Sequence, residues 1–152
     1  MSPPSMQQYV SFTLGTEHYG AEINLIHELK GWDTVTRIPY TPKYLLGVLN
    51  LRGAIVPIID LRIRFGLNQV PYDSSTVIVV VRVPAERGER TAGVVVDAVN
   101  EVLHVPTADI KPAPVLTGAV AQTFINGIAQ VGERLVMLLD IGMLVSASIA
   151  AA

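Results

Sequence analysis

Cysteine is absent from all 152 residues, which excludes disulfides and thiolate metal sites and fits a reducing compartment. Charge is scarce as well: Asp, Glu, Lys and Arg make up 16% of the chain, with a net charge of −2. Eleven scattered Lys and Arg residues provide no basic field to hold nucleic acid. No apolar run approaches the ~20 residues needed to span a bilayer. The start, Met-Ser-Pro-Pro-Ser, lacks the basic and apolar regions of a secretory signal, so a cytoplasmic protein is expected. Catalytic patterns are also missing. There is no Gly-x-Ser-x-Gly, no His-Glu-x-x-His and no glycine-rich phosphate loop. His18, His27 and His104 lie far apart and lack metal-ligand spacing. No enzyme, cofactor or metal is expected.

What the chain does have is hydrophobic residues, 50% of the total, in short β-patterned runs. Gln8 to Leu14 and Tyr19 to Ile23 read as a hairpin around Gly15-Thr16-Glu17, followed by a brief turn or a single helical turn over Asn24 to His27. Val35 to Ile38 reads as a short strand, and Pro42 to Leu46 as a short helix before Gly47. Gly47 to Ile59 reads as strand, Arg-Gly turn and strand, with Asp60 placed to cap a helix over Leu61 to Phe65. Leu67 to Ser75 is a connector. Thr76 to Val83 is β-branched without alternation, so both of its faces should be buried. Ala92 to Val96 returns, Val102 to Val105 extends again, and Pro106 to Thr123 reads mostly as loop.

The chain repeats itself. Gly47 to Leu61 matches Gly127 to Ile141 without a gap, at an offset of 127 − 47 = 80. Gly20 to Leu29 matches Gly93 to Val102 at an offset of 93 − 20 = 73, which also sets Pro39 on Pro112. Each half then holds about five short strands in the same order, and such a unit closes most naturally as a small barrel. The expected architecture is all-β with minor short helices: two small five-stranded, SH3-like β-barrels packed around a shared hydrophobic core. They form one domain over 1–152, with intertwined subdomains of approximately 8–75 and 76–145. The non-alternating Val77 to Val81 run would supply the shared core. A seven- or eight-strand sandwich would account for the strands but not for the register of the repeat.

The repeat works as an internal control. Asp60 and Asp140 occupy equivalent strand ends, so capping explains both better than an acid–base pair does. Asp97 and its counterpart Asn24 are likewise suited to turns or caps. Glu28 recurs as Glu101, which favours a structural role such as a bond to a neighbouring turn. Arg52 does not recur, since Gly132 stands in its place, so its charge is free to serve a partner. Pro57 is replaced by Met137, and a proline within a strand implies an edge or bulge. Trp32, the only tryptophan, suits either a cover for a barrel end or an interface anchor.

Tyr19-Gly20, Val35-Thr36-Arg37-Ile38-Pro39, Asn50-Leu51-Arg52-Gly53 with Ile55-Val56-Pro57-Ile58, Gly93 to Asp97, and Lys111-Pro112-Ala113-Pro114 form a set of stretches. Together they resemble the CheW family of bacterial chemotaxis coupling proteins. The resemblance runs from about Tyr9 to Val145. It implies two five-stranded barrels around a common core and a non-enzymatic, free-standing adaptor. Such an adaptor links the cytoplasmic tip of methyl-accepting chemoreceptors to the regulatory domain of a CheA-type histidine kinase in ordered arrays. It implies no membrane insertion of its own and no nucleic-acid partner. By the same resemblance Arg52 lies at the receptor face and Glu28 is tied to partner binding. Gly47, Ile26, Val77 and Gly93 match family positions around the same groove. The chain departs from the family at Asn24, Leu25 and His27, and in a longer, charged Pro84 to Arg90 loop. These differences leave open a paralogous pili or surface-sensing pathway. A barrel that binds a small ligand is the more distant alternative, disfavoured because bulky aliphatics should fill so small a barrel.

Overall fold

The computed structural model describes residues 5–113 and 123–150. The strands are β1 (Met6–Leu14), β2 (Glu17–Glu22), β3 (Ile26–Gly31), β4 (Leu45–Leu51), β5 (Ala54–Asp60), β6 (Val77–Pro84), β7 (Glu89–Val96), β8 (Ala98–Pro106), β9 (Ile125–Val131) and β10 (Arg134–Leu139). Two helices, α1 (Leu61–Arg64) and α2 (Ile141–Ala150), each follow a hairpin. A single 3-10 turn, Ile23–Leu25, stands where the helical turn was expected.

The strands form two five-stranded sheets, ordered β8-β1-β2-β10-β9 and β3-β6-β7-β5-β4. Each sheet is closed by a bridge from the loop after its first-named strand: Thr36 to Val48 in one and Lys111 to Ile128 in the other. The sheets do not divide the chain near residue 75. If β1 to β5 are matched with β6 to β10 in order, the two sheet orders become identical. Each half has therefore exchanged its first two strands with the other. The parallel pairs confirm the match, because Gly20 lies beside Leu138 and Gly93 beside Ile58, positions related by the offsets of 73 and 80. The bridges correct one detail of the alignment. Lys111 is equivalent to Thr36, an offset of 111 − 36 = 75, so Pro112 answers to Arg37 rather than to Pro39.

The exchange makes the core continuous. Ile78 and Val80 of β6 face the interior of one barrel, with Leu49, Val56 and Ile58. Val79, Val81 and Val83 face the other way, onto Phe12, Leu14 and Tyr19 of β1 and β2 and Leu144 and Val145 of α2. The second barrel has its own interior of Tyr9, Leu103, Val105, Val136 and Leu138. Burial of both faces of β6, expected from its lack of alternation, follows from this placement.

Asp60 and Asp140 cap as expected. Asp60 Oδ1 accepts from Ile63 N at 3.2 Å, and Asp140 Oδ1 from Met143 N at 3.0 Å. Two local expectations fail. Pro42 to Leu46 is not helical: Leu45 N donates to the Pro42 carbonyl at 3.0 Å and the chain enters β4 at once. A helix nucleus of five residues gains too little to compete with Leu45 and Leu46, which the barrel buries. Val35 to Ile38 contributes only the Thr36 bridge, because Pro39 and the type II-like turn at Tyr40, φ +63°, end it.

A charged clasp joins the barrels. The Arg62 guanidinium of α1 grips Asp97, between β7 and β8, with Nε to Oδ1 at 2.7 Å and Nη2 to Oδ2 at 2.5 Å. Gly15 N, in the β1–β2 turn, donates to the same carboxylate at 2.7 Å. The Arg62 hydrogen bonds, helped by the Gly15 amide, hold the Asp97 carboxyl below its ordinary value of 3.8. At the equivalent place stand Asn24 and Gly142, so the clasp exists on one side only.

Candidate functional site: the Arg52 hairpin and its groove

The β4–β5 hairpin turns through Arg52 and Gly53, with φ of +51° and +89°, between the paired residues Leu51 and Ala54. Two positive φ values fit a type I′ turn, whose twist suits a hairpin. Asn50 Oδ1 accepts from Gly53 N at 2.9 Å and steadies it. An arginine in the left-handed region gives up about 1–2 kcal/mol that glycine would not. The equivalent β9–β10 turn, Gly132-Glu133, puts glycine at that position, φ +63°. Arg52 is thus held in a strained backbone at an exposed tip, its side chain 71% accessible.

Glu28 meets it. The Arg52 guanidinium donates to Glu28 Oε1 from across the barrel mouth. Glu28 reaches this point through a bulge in β3, where Ile26 pairs with Val81 and Glu28 with Val80, leaving His27 as the extra residue. The bulge lets the consecutive residues His27 and Glu28 line one groove with Leu51, Arg52, Ala54, Val56, Val80, Arg82 and Thr91. The groove has a volume of about 190 Å³, a floor of aliphatic side chains and a charged rim.

Pro57 explains why the groove is open. β5 is not an edge strand, since it pairs with β4 on one side and β7 on the other. Its parallel pairing with β7, however, starts only at Ile58. In the second sheet the equivalent pairing already includes Val136 and Met137. A proline has no N–H to give to β7, so the strands join two residues later and Ala54 to Pro57 stay unpaired on that side.

The other sequence-derived site residues lie outside the groove. Gly47 sits at a bulge of β4 with φ +150°, where a Cβ would fall 2.0 Å from the Thr36 carbonyl oxygen. Gly93 lies beside Ile58 in the parallel pairing, where a Cβ would meet Ile58 Cδ1 at 2.6 Å and Ile78 Cγ2 at 2.8 Å. Ile26 and Val77 are partly buried against the core between the barrels. Trp32 stacks on Tyr72, ring centroids 4.0 Å apart, and packs against the first barrel's interior, so it covers that end. The Tyr72 hydroxyl donates to Asp60 Oδ2, and burial together with this bond raises its pKa well above the ordinary phenol value.

Sequence comparison missed one repeat. Glu101 also pairs with an arginine, Arg134 Nη2 to Glu101 Oε1 at 2.8 Å. Arg134 is equivalent to Ala54, two residues past the Arg52 position, so strict registration hid it. A Glu–Arg pair at the hairpin is therefore common to both copies, as the structural reading of Glu28 required. Only the first copy places its arginine in the turn itself.

Among the described residues no group of three or more His, Cys, Asp or Glu could hold a metal ion, and no helix is long and apolar enough to cross a membrane. Two strand-exchanged barrels that present a strained, charged hairpin over a shallow groove define a protein-interaction domain. The chain belongs to the CheW-like family, whose domain pattern matches residues 8–148. It is 44% identical over 140 residues to the chemotaxis protein CheW of Klebsiella aerogenes, covering 92% of this chain and 82% of that one. It is 33% identical to the probable chemotaxis protein CheW of Rhizobium etli, covering 92% and 88%. Its fold matches the crystal structure of the scaffolding protein TtCheW from Thermoanaerobacter tengcongensis with a TM-score of 0.82 and 33% identity, covering 93% and 89%.

Proposed function

We propose that this chain is a non-enzymatic coupling adaptor of chemotaxis signalling, joining the cytoplasmic tip of a chemoreceptor to the regulatory domain of a CheA-type histidine kinase. The kinship with proteins named as chemotaxis CheW and as a scaffold supports the coupling role. The observation that carries the receptor side is Arg52. A side chain kept in the left-handed region at an exposed tip, where the other copy uses glycine, is retained at a cost to the fold and serves something outside it. Glu28 orients the guanidinium for docking and adds a small contribution to the fold. Gly47 and Gly93 act indirectly by holding β4 and β5 in place, and Ile26 and Val77 by holding β3 and β6. The working place is the cytoplasmic side of a membrane receptor array, reached through partners.

Capture from a lysate of the native organism, with the full chain as bait, tests this reading. Joint recovery of a chemoreceptor and a CheA-type kinase is expected. Recovery of pilus or surface-sensing receptors instead would move the chain to a paralogous pathway, and recovery of neither partner would reject the coupling role.

A further inference from the structure

The groove beside Arg52 carries more positive charge than its own pairing uses. Arg82 continues the row Ile78, Val80 along β6, toward the barrel mouth, and is exposed there. Among the described residues it belongs to no ion pair. Among the described residues its one side-chain hydrogen bond is with His27, 3.3 Å from Arg82 Nη2 to His27 Nε2. A guanidinium can only donate, so that contact needs a neutral imidazole accepting at Nε2. The rim therefore holds Arg52 and Arg82 against the single carboxylate of Glu28, an excess of 2 − 1 = +1.

The second copy shows that the fold does not need this excess. Ser11 pairs with Gly20 as Val80 pairs with Gly93, an offset of 80 − 11 = 69, which sets Thr13 in the place of Arg82. Asn100 takes the place of His27, at an offset of 73. There Thr13 and Asn100 are neutral and the turn adds Glu133 beside the Glu101–Arg134 pair, so the second copy carries no positive excess.

We infer that Arg82, held by the bulged His27, is a second cationic anchor of the Arg52 groove, and that the groove accepts an acidic, partly apolar segment of a protein partner. The exposed Ala54 and the half-buried Leu51 on the groove wall take the apolar side chains, above Val56 and Val80, which the barrel buries. Arg82, which pairs with no carboxylate among the described residues, takes a carboxylate that Arg52 alone would not fix. This deepens the proposed receptor contact and rests on it for the partner's identity, but not for the chemistry of the groove.

The test uses the full chain labelled with nitrogen-15 and a short, end-blocked peptide alternating Glu and Leu, with Gln–Leu and Lys–Leu counterparts. The Glu–Leu peptide is expected to shift the amides of Ala54, Val80, Arg82 and Thr91, and the other two are not. Arg82→Ala should weaken the Glu–Leu peptide about threefold and flatten its salt dependence, with an unchanged melting temperature. Arg82→Lys should restore most of the affinity. Equal shifts from the Gln or Lys peptide, no shifts from any of the three, or full affinity in Arg82→Ala would overturn the inference. Co-sedimentation with receptor-bearing membranes separates the two proposals. If Arg52→Ala fails to bind while Arg82→Ala binds as wild type, only the second anchor is lost. If the wild type ignores the membranes yet the Glu–Leu peptide maps to the groove, the receptor reading falls and the groove chemistry stands.

Discussion

The two hairpins, β4–β5 and β9–β10, make the same fold with different chemistry at their tips. Both begin at a glycine pressed against a neighbouring loop and both end at a helix-capping aspartate. Both also carry an arginine that pairs with the glutamate of a bulged strand. In β9–β10 a glycine takes the left-handed turn position and the arginine sits in regular strand. In β4–β5 the arginine occupies the strained position itself, and Pro57 parts the strand from its neighbour. What the copies share is explained by the barrel. What the two hairpins do not share clusters around a single groove, and the one-sided Arg62–Asp97 clasp lies outside it.

The largest effect should come from the shared framework, and it should be unequal. Gly47→Ala forces a Cβ onto the Thr36 backbone at 2.0 Å in a left-handed φ of +150°, whereas at Gly127 the nearest atom is the Ile110 Cγ2 methyl at 2.6 Å and the nearest backbone atom, the Lys111 carbonyl oxygen, lies at 3.0 Å. Denaturant melts should show a loss of about 3 kcal/mol or more at Gly47 and a clearly smaller loss at Gly127. Equal losses would break the comparison at its base.

Next is the one-sided clasp. Asp97→Ala leaves the Arg62 guanidinium without its carboxylate and should cost about 2 kcal/mol. The folded pKa of Asp97 is depressed, so its stabilising contribution is complete above the ordinary carboxylate value and fades as pH falls through the folded one. The stability gap between wild type and Asp97→Asn should therefore narrow below about pH 4. Asn24→Ala, at the equivalent place, should show no such pH dependence.

Smaller still are the two exposed pairs. Double-mutant cycles for Glu28–Arg52 and Glu101–Arg134 should each give about 0.5 kcal/mol of coupling. Arg52→Gly removes the same ion pair but also relieves the left-handed arginine, so its melting temperature should match or exceed that of the wild type. A marked fall would show that Arg52 supports the barrel.

The barrels were legible in the sequence because the repeat is almost free of gaps where the strands lie. The shared core could be read from Val77 to Val81, since a strand apolar on both sides needs cover on both sides. The strand exchange could not be read, because periodicity reports which face a residue buries and not which strand lies beside it. Arg134 was hidden by a two-residue slip that a side chain as long as arginine easily spans. Arg82 gave no signal at all: a charged residue within an apolar strand looks like a solvated end, and only the bulge at His27 brings the groove to it. Gly47 and Gly93 match family positions in the sequence, but the reason for each is a close backbone or side-chain approach visible only in three dimensions.

The division of labour between the hairpins is tested most directly by co-sedimentation of Arg52→Ala and Arg134→Ala with receptor-bearing membranes, with thermal melts of both. The account predicts that Arg52→Ala loses about tenfold in receptor affinity at an unchanged melting temperature, while Arg134→Ala binds as wild type. Equal loss of binding in the two variants would contradict it.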